Sequence, residues 1–261
     1  MYPFMKTLLL SIVALFSIAI TSMETAQAAD QSFYQIKIYH LKTQAQEDLL
    51  DNYFKNAYLP ALRRAGIKQI GVFKPNVKDT ADVQIYVFIP FSKLDQLGKL
   101  GDALLSDKKY QADGKEYLDA EYNKAPYTRV ESIILKAFAG MPQPGVPNLT
   151  AAKADRIYEL RSYEAATEKL SKNKIKQFNE AGEITIFKNL NFNAVFYGEV
   201  ISGPKMPNLM YMTTFNNKTE HDKLWVDFNK EYAPIRVLPE YQHNVSKNTI
   251  TFLHPADYSD F

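Results

Sequence analysis

Cysteine is absent from the 261 residues, and tryptophan occurs once. Without thiols the chain has no disulfide, no thiolate nucleophile and no cysteine-ligated metal site. Histidine is scarce too: four are present, His40, His221, His243 and His254. None stands with another His, Asp or Glu at a metal-ligand spacing such as HExxH, so no metal and no other cofactor is expected. Charge of one sign is also lacking. Lys and Arg total 31 against 29 Asp and Glu, a formal net charge of +2. The two signs are interspersed, which gives no footprint for nucleic acid or for an anionic membrane surface. A nucleophile elbow, a dinucleotide-binding glycine pattern and paired catalytic carboxylates are all missing, and several enzyme classes go with them.

What is present begins with an apolar run. Lys6 is followed by "TLLLSIVALFSIAI" and then by a polar stretch ending "TAQAAD". A basic start, an apolar core of about 14 residues and a small-x-small site are the marks of a secretory signal peptide. The run is shorter than the roughly 20 residues needed to span a bilayer. Ala26-Gln27-Ala28 supplies the small residues, so residues 1–28 are expected to be removed after Ala28. The mature chain is then periplasmic or extracellular, with no membrane association. No cysteine near the site offers a lipid attachment point. About 230 residues remain, one large domain or two small ones. Their stability must come from packing, for which 17 Tyr and 16 Phe are ample.

Two heptads share one grammar. "YQIKIYH" (Tyr34–His40) and "YELRSYE" (Tyr158–Glu164) each read Tyr, an amide or acid, a branched aliphatic, a base, a variable position, then Tyr. Their period of two marks β-strands with two chemically distinct faces. Leu49, Leu50, Tyr53, Phe54 and Ala57 then recur at helical spacing with Glu47, Asp48 and Asp51 opposite. Pro60 should interrupt that helix or start a new turn, and Gly66 is placed to end it. Ile175, Phe178 and Ile186 continue a second helical pattern, which Gly182 weakens without necessarily breaking. Second strands follow at Gln69–Pro75 and Asn193–Val200, and third strands at Val83–Phe91 and Asn208–Phe215. Helical segments "SKLDQLGKL" and "KTEHDKLWVDFNKEY" lead to last strands at Arg129–Phe138 and Asn248–His254.

Both copies thus run β-α-β-β-α-β, the ferredoxin-like plan. The expected fold is α+β, with two tandem ferredoxin-like halves at residues 29–138 and 154–261. Residues 139–153, rich in Pro and Gly, serve as the linker. Each half leaves one sheet face uncovered, so the two sheets are expected to cover one another as an α/β-barrel pseudo-dimer.

The second copy, with "YELRSY", "GPKMPNLMYMTTF" and the Trp225/Phe228 helix, resembles the NIPSNAP family. The "LPALRRAGIKQIGVF" segment and the tail "PEY…ITFLHPADYS" extend the likeness over the mature chain. The first copy departs from the pattern: Gln35 and Lys37 stand where the family favours Glu and Arg, and the Trp is missing. The resemblance implies a dimeric α/β-barrel of the ferredoxin-like type and carries no activity with it. Related barrels include cofactor-free monooxygenases, small-lactone isomerases and haem-dependent enzymes, and a shared fold does not choose among these.

A ligand pocket is expected between the sheets. If helices cover the Tyr34/Ile36/Ile38 and Tyr158/Leu160 faces, then Gln35, Lys37, Tyr39, Glu159, Arg161 and Tyr163 point into that space. Arg161 with two tyrosines suits an anionic aromatic or a carboxylate. The competing reading pairs Arg161 with Glu159 as a structural ion pair. His40 ends the first strand at a barrel mouth and is a candidate general base with no visible acid partner. By spacing, His221 is a surface residue at a helix start, and Trp225 and Phe228 are core. The candidate ligand-binding set is therefore Lys37, Tyr39, His40, Glu159, Arg161 and Tyr163. The leading expectation is a small-molecule binder that can form a homo-oligomer. The alternatives are a cofactor-free oxygenase or isomerase acting on a small aromatic or lactone, and a protein-interaction module using strand edges or helices.

Overall fold

The computed structural model describes residues 30–77 and 79–261. The signal-peptide reading of residues 1–28 lies outside the described residues. No helix among the described residues is long and apolar enough to cross a membrane.

The first copy comprises β1 (Phe33–Leu41), α1 (Gln44–Tyr53), α2 (Leu59–Arg64), β2 (Gly71–Pro75) and β3 (Val83–Phe91). It continues with α3 (Leu94–Ser106), α4 (Lys108–Asp113), α5 (Lys115–Leu118) and β4 (Arg129–Ala137). The second copy comprises β5 (Ile157–Glu164), α6 (Glu168–Glu180), α7 (Glu183–Asn189), β6 (Phe196–Ser202), β7 (Asn208–Phe215), α8 (Lys218–Arg236) and β8 (Lys247–Pro255). Of the two expectations for Pro60, the start of a new turn is the one found. A π turn over Phe54–Tyr58 carries the chain from α1 into α2, with the proline in the first turn of α2, where its missing N–H has no intrahelical partner to lose. Gly66 leaves α2 at a φ of +84°. Gly182 separates α6 from α7 at a φ of +93°, so the break is complete.

The strands close into one antiparallel barrel in the order β1-β3-β2-β8-β5-β7-β6-β4. Each copy contributes four neighbouring strands, and the edge strands of one copy pair with those of the other. Phe73 stands opposite Pro255 at the β2–β8 joint, and Ala137 opposite Gly198 at the β4–β6 joint. Closure leaves these eight strands no free edge, so strand addition at an exposed edge, one form of the interaction-module expectation, has no edge to use.

Side chains facing inward from both copies form one cluster that includes Tyr34, Ile36, Ile38, Phe88, Tyr158, Leu160, Phe196 and Met212. This reverses the expected facing. The aliphatic face of β1 and β5 fills the barrel, and the polar-aromatic face lies under the helices. The physical reason is width: an eight-stranded barrel has room for side chains and at most one small ligand. Long cationic side chains there would lose their hydration, whereas at a sheet–helix seam the stem can be buried while the head stays near water. At one end of the barrel the filling is dense. Phe261 sits 5.8 Å from Phe73 and 6.0 Å from Phe88, ring centre to ring centre, and Phe88 stacks on Phe196 at 5.1 Å. Two further clusters join the outer faces to the helices of each copy.

Candidate functional site

The other end of the barrel is open. There β1 delivers His40, the first half of β3 supplies Gln84 and Tyr86, and β4 supplies Glu131 and Ile133. From the second copy come Leu160, Ser162, Asn208, Met210, Thr249 and Thr251, with Pro204 and Lys205 at the lip. The cavity measures about 270 Å³. Its floor is apolar (Ile38, Ile133, Leu160 and Met210), and its rim is polar.

The rim is a connected chain. Tyr86 Oη donates to Gln84 Oε1 at 2.6 Å, and Gln84 Nε2 donates to Asp82 Oδ2 at 2.7 Å. His40 Nδ1 lies 2.9 and 3.0 Å from the two Asp82 oxygens, and His40 Nε2 lies 3.3 Å from Glu131 Oε1. Partial burial acts to raise the Asp82 pKa, yet the hydrogen bonds from Gln84 and His40 hold it below its usual value. An ionised carboxylate only accepts, so Nδ1 carries the proton. Nε2 is thereby left as the base, or as a second donor towards Glu131. Burial pushes the Tyr86 phenol up to about 12, and it stays a donor. Across the cavity, Asn208 Nδ2 donates to Ser162 Oγ at 2.9 Å. His40 therefore has the acid partner that its own neighbourhood in sequence did not show.

The other five predicted site residues lie elsewhere. Glu159, Arg161 and Tyr163 face α8 and α6 on the outside of the barrel. Glu159 is fully buried. Its Oε1 accepts from Arg161 Nε at 2.8 Å, and its Oε2 accepts from Trp225 Nε1 at 2.7 Å. His221 Nε2 lies 3.2 Å from the same oxygen, and its Nδ1 lies 2.8 Å from Asp222 Oδ1. His221 is thus buried rather than superficial, with both ring nitrogens facing carboxylates. The Arg161 guanidinium stacks on Trp225 at 3.7 Å from the ring centre, and its Nη1 donates to Tyr163 Oη at 3.2 Å. Tyr163 Oη in turn meets Tyr211 Oη at 2.8 Å. The Glu159–Arg161 ion pair exists, but beneath α8 rather than between the sheets. A second buried pair, Lys174 with Glu183 at 2.7 Å, lies in the same helix layer. Lys37 and Tyr39 occupy the corresponding outer face of β1.

Among the described residues no group of three or more His, Cys, Asp or Glu side chains is arranged to hold a metal ion. A larger cavity of about 460 Å³ lies outside the barrel, between residues 140–142, α7 and Tyr197. Lys188 is its one charged lining residue. The barrel mouth has the greater density of convergent polar groups and the apolar floor that characterise ligand sites.

No family model matches the chain, and no curated protein does. Among solved structures it is similar to an anthrone oxidase-like protein at 10% identity, covering 88% of this chain and 93% of that one with a TM-score of 0.49. It is also similar to a candidate monooxygenase from Lactobacillus acidophilus NCFM at 12% identity, covering 86% and 94% with a TM-score of 0.48. Chlorite dismutase from Candidatus Nitrospira defluvii in complex with imidazole superposes at 7% identity, covering 87% and 92% with a TM-score of 0.47. At these identities and scores the likenesses carry no chemistry to this chain. The barrel assignment rests on its own strand order.

Proposed function

We propose that this chain is an exported, NIPSNAP-like tandem of two ferredoxin-like halves, residues 29–138 and 154–261, that binds a small polar molecule in the barrel mouth. The observation that carries the reading is the cavity to which both copies contribute walls, with a hydrogen-bonding rim above an apolar floor. Its volume of about 270 Å³ falls just under the roughly 300–1,000 Å³ typical of drug-sized pockets, so the ligand is small. Glu131 on the cavity wall favours a neutral or cationic ligand with hydroxyl or amine donors, and the floor takes its hydrocarbon part. Ligand-observed NMR with a library of small alcohols and amines tests this. Binders should compete with one another and be lost in Ser162→Leu, which fills the mouth while circular dichroism stays unchanged. An absence of binders, or binders indifferent to Ser162→Leu, overturns the reading.

One observation favours a second reading, a cofactor-free oxygenase or isomerase. His40 lines the cavity with Asp82 against Nδ1 and Glu131 3.3 Å from Nε2, a histidine–carboxylate set able to exchange a proton with a bound molecule. Both chemistries begin by withdrawing a proton from the substrate. Deuterium exchange into a bound ligand, abolished by His40→Gln with binding retained, would separate enzyme from binder.

A further inference from the structure

The outer faces of β1 and β5 present the same positions in two chemical versions. Glu159, Arg161 and Tyr163 on β5 correspond to Gln35, Lys37 and Tyr39 on β1. In the second copy the cation is fully compensated: Arg161 holds Glu159 at 2.6 Å and lies on Trp225. In the first copy the acid has become an amide, and Gln35 Nε2 donates to Ser132 Oγ at 2.8 Å. No carboxylate pairs with Lys37 among the described residues. Its ammonium rests instead against two rings, 5.1 Å from the centre of Tyr39 and 5.3 Å from that of Tyr58.

The groups that face Lys37 across the sheet supply no negative charge. Its cross-strand partners are Val87 on β3 and Ser132 on β4. Along that face β3 continues with Ile85 and Ile89, and β4 with Val130, Ile134 and the cationic Lys136. Tyr58 comes from the π turn. Burial raises the pKa of Tyr39 and of Tyr58, so both phenols stay neutral. The side chain is half-buried rather than sealed.

We propose that Lys37 is a carbonyl-reactive amine that takes small aldehydes or ketones as imines in this tyrosine-lined seam. The neutral Nζ attacks the carbonyl carbon, a C–N bond forms, and the carbonyl π pair moves to oxygen, which is protonated. The resulting carbinolamine expels water as the nitrogen lone pair closes the C=N bond, and the nitrogen's remaining proton leaves to solvent. Amine and carbonyl thus become imine and one water, with no oxidant or reductant consumed. Desolvation supports this chemistry, because it lowers Lys37 from 10.5 to about 8. At pH 8 a far larger share of Lys37 is therefore neutral than of an exposed lysine. Lowered basicity offsets part of that advantage, since nucleophilicity falls with pKa.

The test uses the full chain with propanal and cyanoborohydride, which traps imines as secondary amines. Peptide mass spectrometry then follows the rate at each lysine. At pH 8 Lys37 should react at least tenfold faster than the exposed Lys99 and Lys223. Gln35→Glu restores the acid that the second copy carries and should return Lys37 to the surface rate. The pH profile of Lys37 labelling in the unaltered chain gives a reading independent of any variant, with an expected midpoint near 8. A Lys37 rate no faster than Lys99, a midpoint above 10, or a folded Gln35→Glu variant that labels as fast as the native chain would each overturn the proposal.

Discussion

Glu159→Ala removes the one carboxylate on which three donors of the second copy converge. Glu159 is fully buried and Arg161 is 13% exposed at the side chain. Losing one partner of a buried ion pair costs about 3–5 kcal/mol, chiefly because the other charge is left unpaired. The slight exposure of Arg161 argues for the lower end, about 3 kcal/mol, with Trp225 Nε1 and His221 losing an acceptor as well. For a domain of this size each kcal/mol moves Tm by about 2–4 °C, so a fall of roughly 6–12 °C is expected. Arg161→Ala makes the informative contrast. It leaves Glu159 with the Trp225 N–H at 2.7 Å and His221 at 3.2 Å, so its loss should be distinctly smaller. Thermal unfolding monitored by Trp225 fluorescence measures both variants. A Tm change under about 2 °C for Glu159→Ala, or a larger loss for Arg161→Ala, would refute the reasoning that the carboxylate is the hub.

Lys174→Met and Glu183→Leu should each destabilise by several kcal/mol, whereas the double replacement should lie much nearer the native stability, since burial costs both charged forms; a double-mutant cycle in urea checks this. Gly182→Ala should cost about 1–2 kcal/mol from the left-handed φ alone, because an added Cβ meets nothing within 4 Å, and a thermal melt reads it directly. Lys37, with a folded pKa near 8 below its unfolded 10.5, binds fewer protons folded than unfolded between those values. Its contribution to stability therefore rises with pH across that window. The stability difference between the native chain and Lys37→Met should drift in that direction from pH 7 to 9.5, and Gln35→Glu should flatten the drift. Asp82→Asn should change stability by less than about 1 kcal/mol, as exposed pairs do, while weakening any ligand held through His40, as calorimetric titration would show.

Strand order and the doubling were legible because period two and the repeated heptads need no tertiary knowledge. Facing was not. Both faces of β1 and β5 carry tyrosines, and only closure of the barrel decides which face loses its water. A signal did exist in "RVESIILKAF", where Glu131, Ile133, Leu135 and Ala137 share the inner face with one acid at the mouth. His221 was recoverable as well, since it stands one turn before Trp225 on the buried stripe of α8. Glu47 escaped a helical-face reading because its partner Lys74, at 2.9 Å, comes from β2. The His40–Asp82 pair spans 42 positions, with the acid in the approach to β3, and no local pattern connects them.

The two cavities differ by one reporter each: Met210 floors the barrel mouth, and Met141 lines the larger cavity beside α7. Methyl NMR of methionine-labelled full chain, titrated with the best small alcohol or amine binder, therefore tests the central claim most directly. The account predicts a saturable shift of the Met210 methyl with Met141 unmoved. A shift at Met141 alone, or binding that leaves Met210 untouched, would contradict it.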